Sequence, residues 1–303
     1  MFAGSMVALV TPMSATGVLD MPALDRLLDF HLHAGTDALV IAGTTGESAT
    51  LGHDDYLALL AHAIDQVSGR LPVIAGTGSC ATAVAIRQAK NAAQLGADGL
   101  LVVTPYYNRP TQNGLHDHYL AVAEASDLPV VLYNVPSRTS CDMLPETVAK
   151  LAEIDNIVAI KEAVAELSRV RELIDCTPDD FAVFSGDDAT AMQSMQAGAA
   201  GVVSVVANLM PAEMAQLCKA CREKDGGEAE RLNTRLEPFF AASMLESNPI
   251  PVKWCLYRMG MIGPGIRLPL TALAQRYRGS CEALLQDEGL LARTRIPNQS
   301  EKQ

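Results

Sequence analysis

Eight short β-like runs recur along the chain, and most are unbroken apolar stretches rather than alternating ones. They are Met6–Thr11, Ala38–Gly43, Val73–Gly76, Leu100–Thr104, Val130–Asn134, Ile157–Lys161, Ala182–Gly186 and Val202–Val206. A strand that is apolar at every position is buried on both faces, the condition of a parallel sheet covered by helices. Helical periodicity fills the gaps. Tyr56, Leu57, Leu60, Ala61 and Ile64 follow the i, i+3, i+4 rule after the second run. Pro145 suits the first position of a helix whose apolar face is Val148, Leu151 and Ile154. Gly35-Thr36-Asp37 and Gly96-Ala97-Asp98 end helices just ahead of strands. Successive runs start roughly 20–35 residues apart, the size of one βα unit. The pattern predicts an α/β fold, a (β/α)8 TIM barrel over residues 1–210. Residues 211–303 are expected to form a C-terminal all-helical appendage, with a polar break at Asp225-Gly226-Gly227. The polar tail after Arg295 is expected to fray.

Charge and cysteine usage narrow the partners. The net charge of −12 disfavours nucleic acid and anionic membrane surfaces. An anionic substrate would therefore need a local cation. Seven cysteines, an odd number at irregular spacing, read as reduced thiols in a cytoplasmic protein. The CxxC of Cys218 and Cys221 has no second cysteine or histidine pair after it, so no metal site is expected. The N-terminus lacks the basic and apolar regions of a signal peptide. No apolar run reaches the ~18 residues that a membrane span needs.

Polar residues at the ends of the runs carry the chemistry, because barrel active sites form at the carboxyl ends of the strands. Lys161 closes an apolar run, where an ammonium ion is costly to bury. Burial favours the free amine, the form that attacks a carbonyl to make a Schiff base. Tyr133 holds the matching place one unit upstream and could shuttle protons. Alternatively, Lys161 leaves the strand for water beside Glu162. Gly43-Thr44-Thr45-Gly46-Glu47-Ser48 offers backbone N–H groups and two hydroxyls to a carboxylate, or else caps a helix. Tyr106 and Tyr107 follow the fourth run, where at least one could be a core aromatic. Arg138 is a cation suited to bidentate carboxylate recognition, or else a surface partner of Asp142. Asp187 and Asp188 are adjacent, so on a strand their side chains diverge and make a poor metal pair.

Gly76-Thr77-Gly78-Ser79-Cys80-Ala81 fits a dinucleotide-binding fingerprint, but the next run ends without the acidic residue that would hold a ribose. A glycine turn in a barrel is the better reading. His31 with His33, and His116 with His118, are two apart on helices and splay around the axis.

These pieces together resemble the Schiff-base aldolases of the dihydrodipicolinate synthase and N-acetylneuraminate lyase family. The telling segments are Gly43–Ser48, Thr104–Tyr107, Tyr133–Thr139, Ile160–Glu162 and Asn248-Pro249-Ile250-Pro251-Val252-Lys253. The resemblance covers almost the whole chain and implies a lyase without cofactor or metal. In the synthase branch, pyruvate would condense with L-aspartate 4-semialdehyde at the head of diaminopimelate and lysine biosynthesis. It implies that Lys161 forms the Schiff base with pyruvate and that Tyr133 relays protons. Thr44 would link Tyr133 to Tyr107, which in this family crosses a dimer interface within a homotetramer, a dimer of dimers. Thr45 would hold the pyruvate carboxylate and Arg138 the carboxylate of the semialdehyde. Backbone groups of Gly186 and Val203 would line the pocket. Arg138 and Thr45 favour the synthase branch; the alternative is an aldolase acting on a sugar acid, N-acetylneuraminate or a 2-keto-3-deoxy acid.

The chain also departs from the family pattern. Val164-Ala165 stand where Thr or Ser and then Gly are usual, which removes a hydroxyl beside the pocket. Ser48, Ala49, His53 and Tyr106 match the family's allosteric lysine site, whereas Tyr56, Cys80 and Val84 replace an expected His, Asn and Glu. Without that Glu carboxylate, feedback by lysine is expected to be weak or absent. Two readings from other classes stay open here: an NAD-dependent oxidoreductase built on the Gly76 turn, and a non-catalytic protein that binds a small keto acid.

Overall fold

The computed structural model describes residues 2–291, so the tail after Arg295 lies outside the described residues. Eight strands close into a barrel in sequence order. They are β1 (Gly4–Ala8), β2 (Ala38–Ile41), β3 (Val73–Gly76), β4 (Gly99–Val103), β5 (Val130–Asn134), β6 (Ile157–Glu162), β7 (Ala182–Ser185) and β8 (Gly201–Ser204). Every pairing is parallel, including β1 with β8. The helices are α1 (Met21–Ala34), α2 (His53–Val67), α3 (Thr82–Leu95), α4 (Gln112–Ala123), α5 (Pro136–Thr139), α6 (Pro145–Leu151), α7 (Leu167–Cys176), α8 (Ala191–Gln196), α9 (Pro211–Arg222), α10 (Gly226–Ser243), α11 (Ile250–Arg258) and α12 (Gln275–Asp287).

Two buried layers explain the unbroken apolar runs. Met6, Val40, Ile74, Leu101, Val131 and Phe184 meet inside the barrel. Their chain neighbours Val7, Leu39, Ala75, Leu100, Leu132 and Val183 face the helices. Each strand thus buries both sets of side chains. Helix ends follow the glycine signals: Gly35 and Gly96 close α1 and α3 at φ 82° and 88°.

The structure shifts some expected boundaries. The first strand begins two residues early, at Gly4, and ends at Ala8 rather than Thr11. The Leu9 amide still donates to Val40 O of β2 at 3.0 Å; past Leu9 the chain bonds elsewhere, the Val10 amide donating to Asn208 Oδ1 and the Thr11 hydroxyl to Gly46 O. Val10 is buried by packing, not by strand pairing. On α2 the buried face is Tyr56, Leu59, Leu60, Ala63 and Val67, so Leu57, Ala61 and Ile64 lie toward its edge. Past residue 210, α9 packs against β1, α1 and α8. It fills the slot between α8 and α1 and so serves as the outer helix after β8. We propose that the appendage proper begins after Arg222, with α10.

Gly76 and Gly78 have a packing explanation. A Cβ on Gly76 would lie 2.1 Å from Ala42 O, and one on Gly78 2.4 Å from Val103 N. Neighbouring backbone occupies the space, so the fingerprint reflects close strand approach.

Candidate active site

Lys161 and Tyr133 point into the barrel at the carboxyl end of its wall. They are register partners across β5 and β6. Both are buried, and Lys161 Nζ lies 4.3 Å from the centroid of the Tyr133 ring. Glu162 does not accompany Lys161. As the next residue on a strand it faces the helices, where its carboxylate accepts from Asn134 Nδ2 at 3.0 and 3.2 Å and from the Val164 amide at 2.8 Å. Among the described residues Lys161 has no acidic ion-pair partner. The reading in which it reaches water beside Glu162 is thereby set aside.

The loop after β2 is tight. Ala42 and Glu47 adopt φ 55° and 58°, and a Cβ on Gly46 would lie 3.1 Å from both Ala42 Cα and Leu9 O. The loop is held from the appendage. Glu47 is buried and ion-paired with Lys253 of α11, which also donates to Thr11 O at 3.0 Å. The other Glu47 oxygen accepts from the Arg267 amide at 3.0 Å. Burial pulls the Lys253 pKa down, and the Glu47 charge opposes that shift. Asn248 Nδ2 donates to Thr45 Oγ1 at 2.8 Å, which leaves the Thr45 hydroxyl hydrogen free to donate. Sequence reasoning gave Asn248, Lys253 and Glu47 no role. The available signals were a lysine amid the apolar residues of α11 and an acid in a glycine-rich loop.

A cavity of about 320 Å³ opens above these strand ends. Thr44, Val103, Tyr106, Val135, Arg138 and Asn248 line it. Val103 is the register partner of Tyr133, and Val135 follows Tyr133 by two residues, so the Lys161–Tyr133 pair lies next to residues that line the cavity without lining it itself. Arg138 is exposed on α5 and has no ion-pair partner among the described residues. Asp142 is taken instead by Arg169, in a bidentate pair at 2.9 and 3.0 Å. The alternative of an Arg138–Asp142 surface pair is therefore excluded, and Arg138 lines the cavity.

Of the expected catalytic and substrate-binding residues, Thr44 and Arg138 line this cavity, whereas Lys161, Tyr133, Thr45, Val203, Gly186 and Tyr107 do not. Val203 is buried in the inner cluster with Tyr133. Gly186 spends its N–H on Glu162 O at 2.6 Å. Tyr107 is 92% exposed, with φ 74°, and does not line its own chain's cavity. Asp187 caps Thr190 and Asp188 accepts from the Val205 and Val206 amides, so both aspartates organise backbone. The histidine pairs splay as expected, with His31 and His118 buried and their mates turned outward.

A second cavity of about 260 Å³ shares Ser48, Ala49, Val103 and Tyr106 with the first. Six of the seven residues expected of a regulatory site line it: Ser48, Ala49, His53, Tyr56, Val84 and Tyr106. Cys80 does not; its carbonyl accepts from Asn108 Nδ2 at 2.7 Å. The lining has no aspartate or glutamate and includes Arg87. Burial pushes the Tyr56 hydroxyl pKa up, and that hydroxyl has no partner.

Residues 1–288 match the dihydrodipicolinate synthetase family. The chain is 52% identical to a 4-hydroxy-tetrahydrodipicolinate synthase of Stutzerimonas stutzeri over 292 residues, covering 96% of this chain and 100% of that relative. A solved structure of the chloride-inhibited dihydrodipicolinate synthase from Acinetobacter baumannii, complexed with pyruvate, superposes with a TM-score of 0.94 at 46% identity, over 96% of this chain and 100% of that one. A monomeric dihydrodipicolinate synthase variant gives a TM-score of 0.94 at 39% identity, over 96% and 98%. The chain belongs to the dihydrodipicolinate synthetase family.

Proposed function

We propose that the chain is a lyase that condenses pyruvate with L-aspartate 4-semialdehyde to give 4-hydroxy-tetrahydrodipicolinate. The observation that carries this reading is the buried Lys161–Tyr133 pair, next in register to Val103 of a cavity that the unpaired Arg138 also lines. The Lys161 amine adds to the pyruvate C2 carbonyl and water leaves, giving a Schiff base. Loss of a methyl proton gives an enamine, whose carbon attacks the aldehyde. Tyr133, whose ring lies beside the Lys161 amine, carries protons through these steps. The Thr45 hydroxyl, oriented by Asn248, donates to the pyruvate carboxylate, and Arg138 receives the carboxylate of the semialdehyde. The substrate amine then displaces Lys161 at C2 as the ring closes. No step calls for a cofactor.

Two features extend the reading. Tyr107 is a large aromatic almost wholly exposed on the single chain, which supports a role in a neighbouring subunit's site, with Thr44 as its link to Tyr133. We place it at the tight interface of a homotetramer, a dimer of dimers; light scattering tests this, and a monomer at micromolar concentration would contradict it. We also place the protein in the cytoplasm. Its seven cysteines are free, and among the described residues no helix is long and apolar enough to cross a membrane. A substrate panel tests the function. Pyruvate with aspartate semialdehyde should turn over, whereas N-acetylneuraminate and 2-keto-3-deoxy acids should not; the opposite preference would assign the sugar-acid branch.

A further inference from the structure

Tyr133 and Lys161 form one rung of the ladder inside the barrel; Asn134 and Glu162 form the next rung outside it. The outer rung is a buried polar cluster. Asn134 Nδ2 reaches both Glu162 oxygens and also donates to Asp142 Oδ1 at 2.8 Å. Asn134 Oδ1 accepts from the Met143 amide at 3.0 Å. Arg169 of α7 grips Asp142 and lies 3.6 Å from Glu162 Oε2. The chain between Asn134 and Asp142 carries Arg138. This cluster therefore closes a loop on itself: one end is bonded to the strand that bears Lys161, and the other to the segment that bears the rim cation.

We propose that Glu162 is a positioning residue, which through Asn134 fixes both the Lys161–Tyr133 juxtaposition and the Arg138 segment. The inference rests on the activity proposed above and deepens it. The geometry leaves Glu162 no other evident use. It is 1% exposed, it faces away from the cavity, and its oxygens are engaged by the strand partner, the following amide and Arg169. A simple apolar contact would fill the same volume without a buried acidic group, which is costly to keep. What a carboxylate adds is two acceptors in fixed directions, able to hold strand β5 and the start of the next loop in register. Removing it frees the two inner side chains to shift relative to each other. A displacement near 1 Å at a reacting pair costs on the order of 100-fold in rate.

The test compares Glu162→Ala, Glu162→Gln and Asn134→Ser with the unaltered chain. Borohydride trapping of pyruvate on Lys161 gives the rate of Schiff-base formation, and steady-state assays give kcat and both KM values. Glu162→Ala is expected to lower kcat and the trapping rate by on the order of 100-fold, with pyruvate KM changed far less, and to raise KM for the semialdehyde. Glu162→Gln keeps an acceptor for Asn134 and for the Val164 amide, so it should restore most of kcat. A residue that only stabilises the fold would lower the melting temperature without this split or this rescue. If Glu162→Ala does not fold, Asn134→Ser leaves Glu162 bonded to the Val164 amide and beside Arg169 but breaks its tie to strand β5, Asp142 and Met143, and it should show a comparable kcat loss. Normal kcat in a folded Glu162→Ala or Asn134→Ser variant would overturn the proposal. If the unaltered chain traps no pyruvate on Lys161, the proposed function falls instead, so the two failures are distinct.

Discussion

The Lys161 amine lies 4.3 Å from the centre of the Tyr133 ring, across one rung of the β5–β6 ladder. The two strands hold this approach in place, since both residues sit in regular backbone. Replacing Tyr133 with Phe keeps the ring against Lys161 and removes only the hydroxyl. The expected result is a pyruvate adduct that still forms on Lys161, with kcat lowered about 10²–10⁴-fold, the usual worth of a proton-transfer group. Turnover at the normal rate would remove Tyr133 from the proton path.

Arg138 should act on the second substrate alone. Arg138→Ala removes a charged hydrogen bond worth about 1.5–3 kcal/mol, so KM for the semialdehyde should rise about 10- to 150-fold. Trapping of pyruvate on Lys161 should proceed at its usual rate. An equal loss in both would place Arg138 at the pyruvate end of the cavity.

Lys253 and Glu47 tie the appendage to the loop that bears Thr44 and Thr45. Lys253→Met leaves a buried carboxylate unpaired, which typically costs 3–5 kcal/mol, roughly. Adding Glu47→Gln should recover much of that stability. Denaturant midpoints of the single and double variants measure this; a double variant no better than Lys253→Met would mean that the pair's charges are not its main contribution.

Acid should weaken the fold through His31. Burial lowers its pKa from 6.5 to about 3, so between these values the unfolded chain binds a proton that the folded chain does not. Stability from this group is full above pH 6.5 and is lost as pH falls toward 3. Glu162 works in the opposite sense: burial raises its pKa from 4.5 to about 7, so its contribution falls as pH rises across that interval. Urea midpoints from pH 7 to pH 4 should therefore fall less steeply for His31→Gln than for the unaltered chain. Parallel curves would show that His31 keeps its proton in the folded state.

L-lysine should inhibit weakly or not at all. The second cavity has no carboxylate to meet the lysine ammonium groups, and Arg87 adds a like charge to its lining. A steady-state titration should leave the rate nearly unchanged at millimolar lysine. Strong inhibition below 1 mM, roughly the −4 kcal/mol level, would contradict this account of the cavity.

The barrel was legible because its strands are buried on both faces, and that leaves uninterrupted apolar runs. Lys161, Tyr133 and Arg138 were legible because a polar group at the end of such a run needs a reason. The carboxyl end of β1 was not, since Val10 is apolar for packing rather than pairing. Nor was the outer-helix role of α9, since a barrel helix and an appendage helix both show one apolar stripe. Asn248, Lys253 and the Asn134–Asp142–Arg169 cluster act through contacts between distant parts of the chain, which local periodicity does not record. Tyr107 is the reverse case: on the single chain it has no site to belong to.

The most direct measurement is borohydride reduction in the presence of pyruvate, followed by peptide mass spectrometry. A reduced pyruvyl adduct confined to Lys161 is the predicted result. Folded protein with no adduct, or with the adduct on another lysine, would contradict the assignment of Lys161 as the Schiff-base residue.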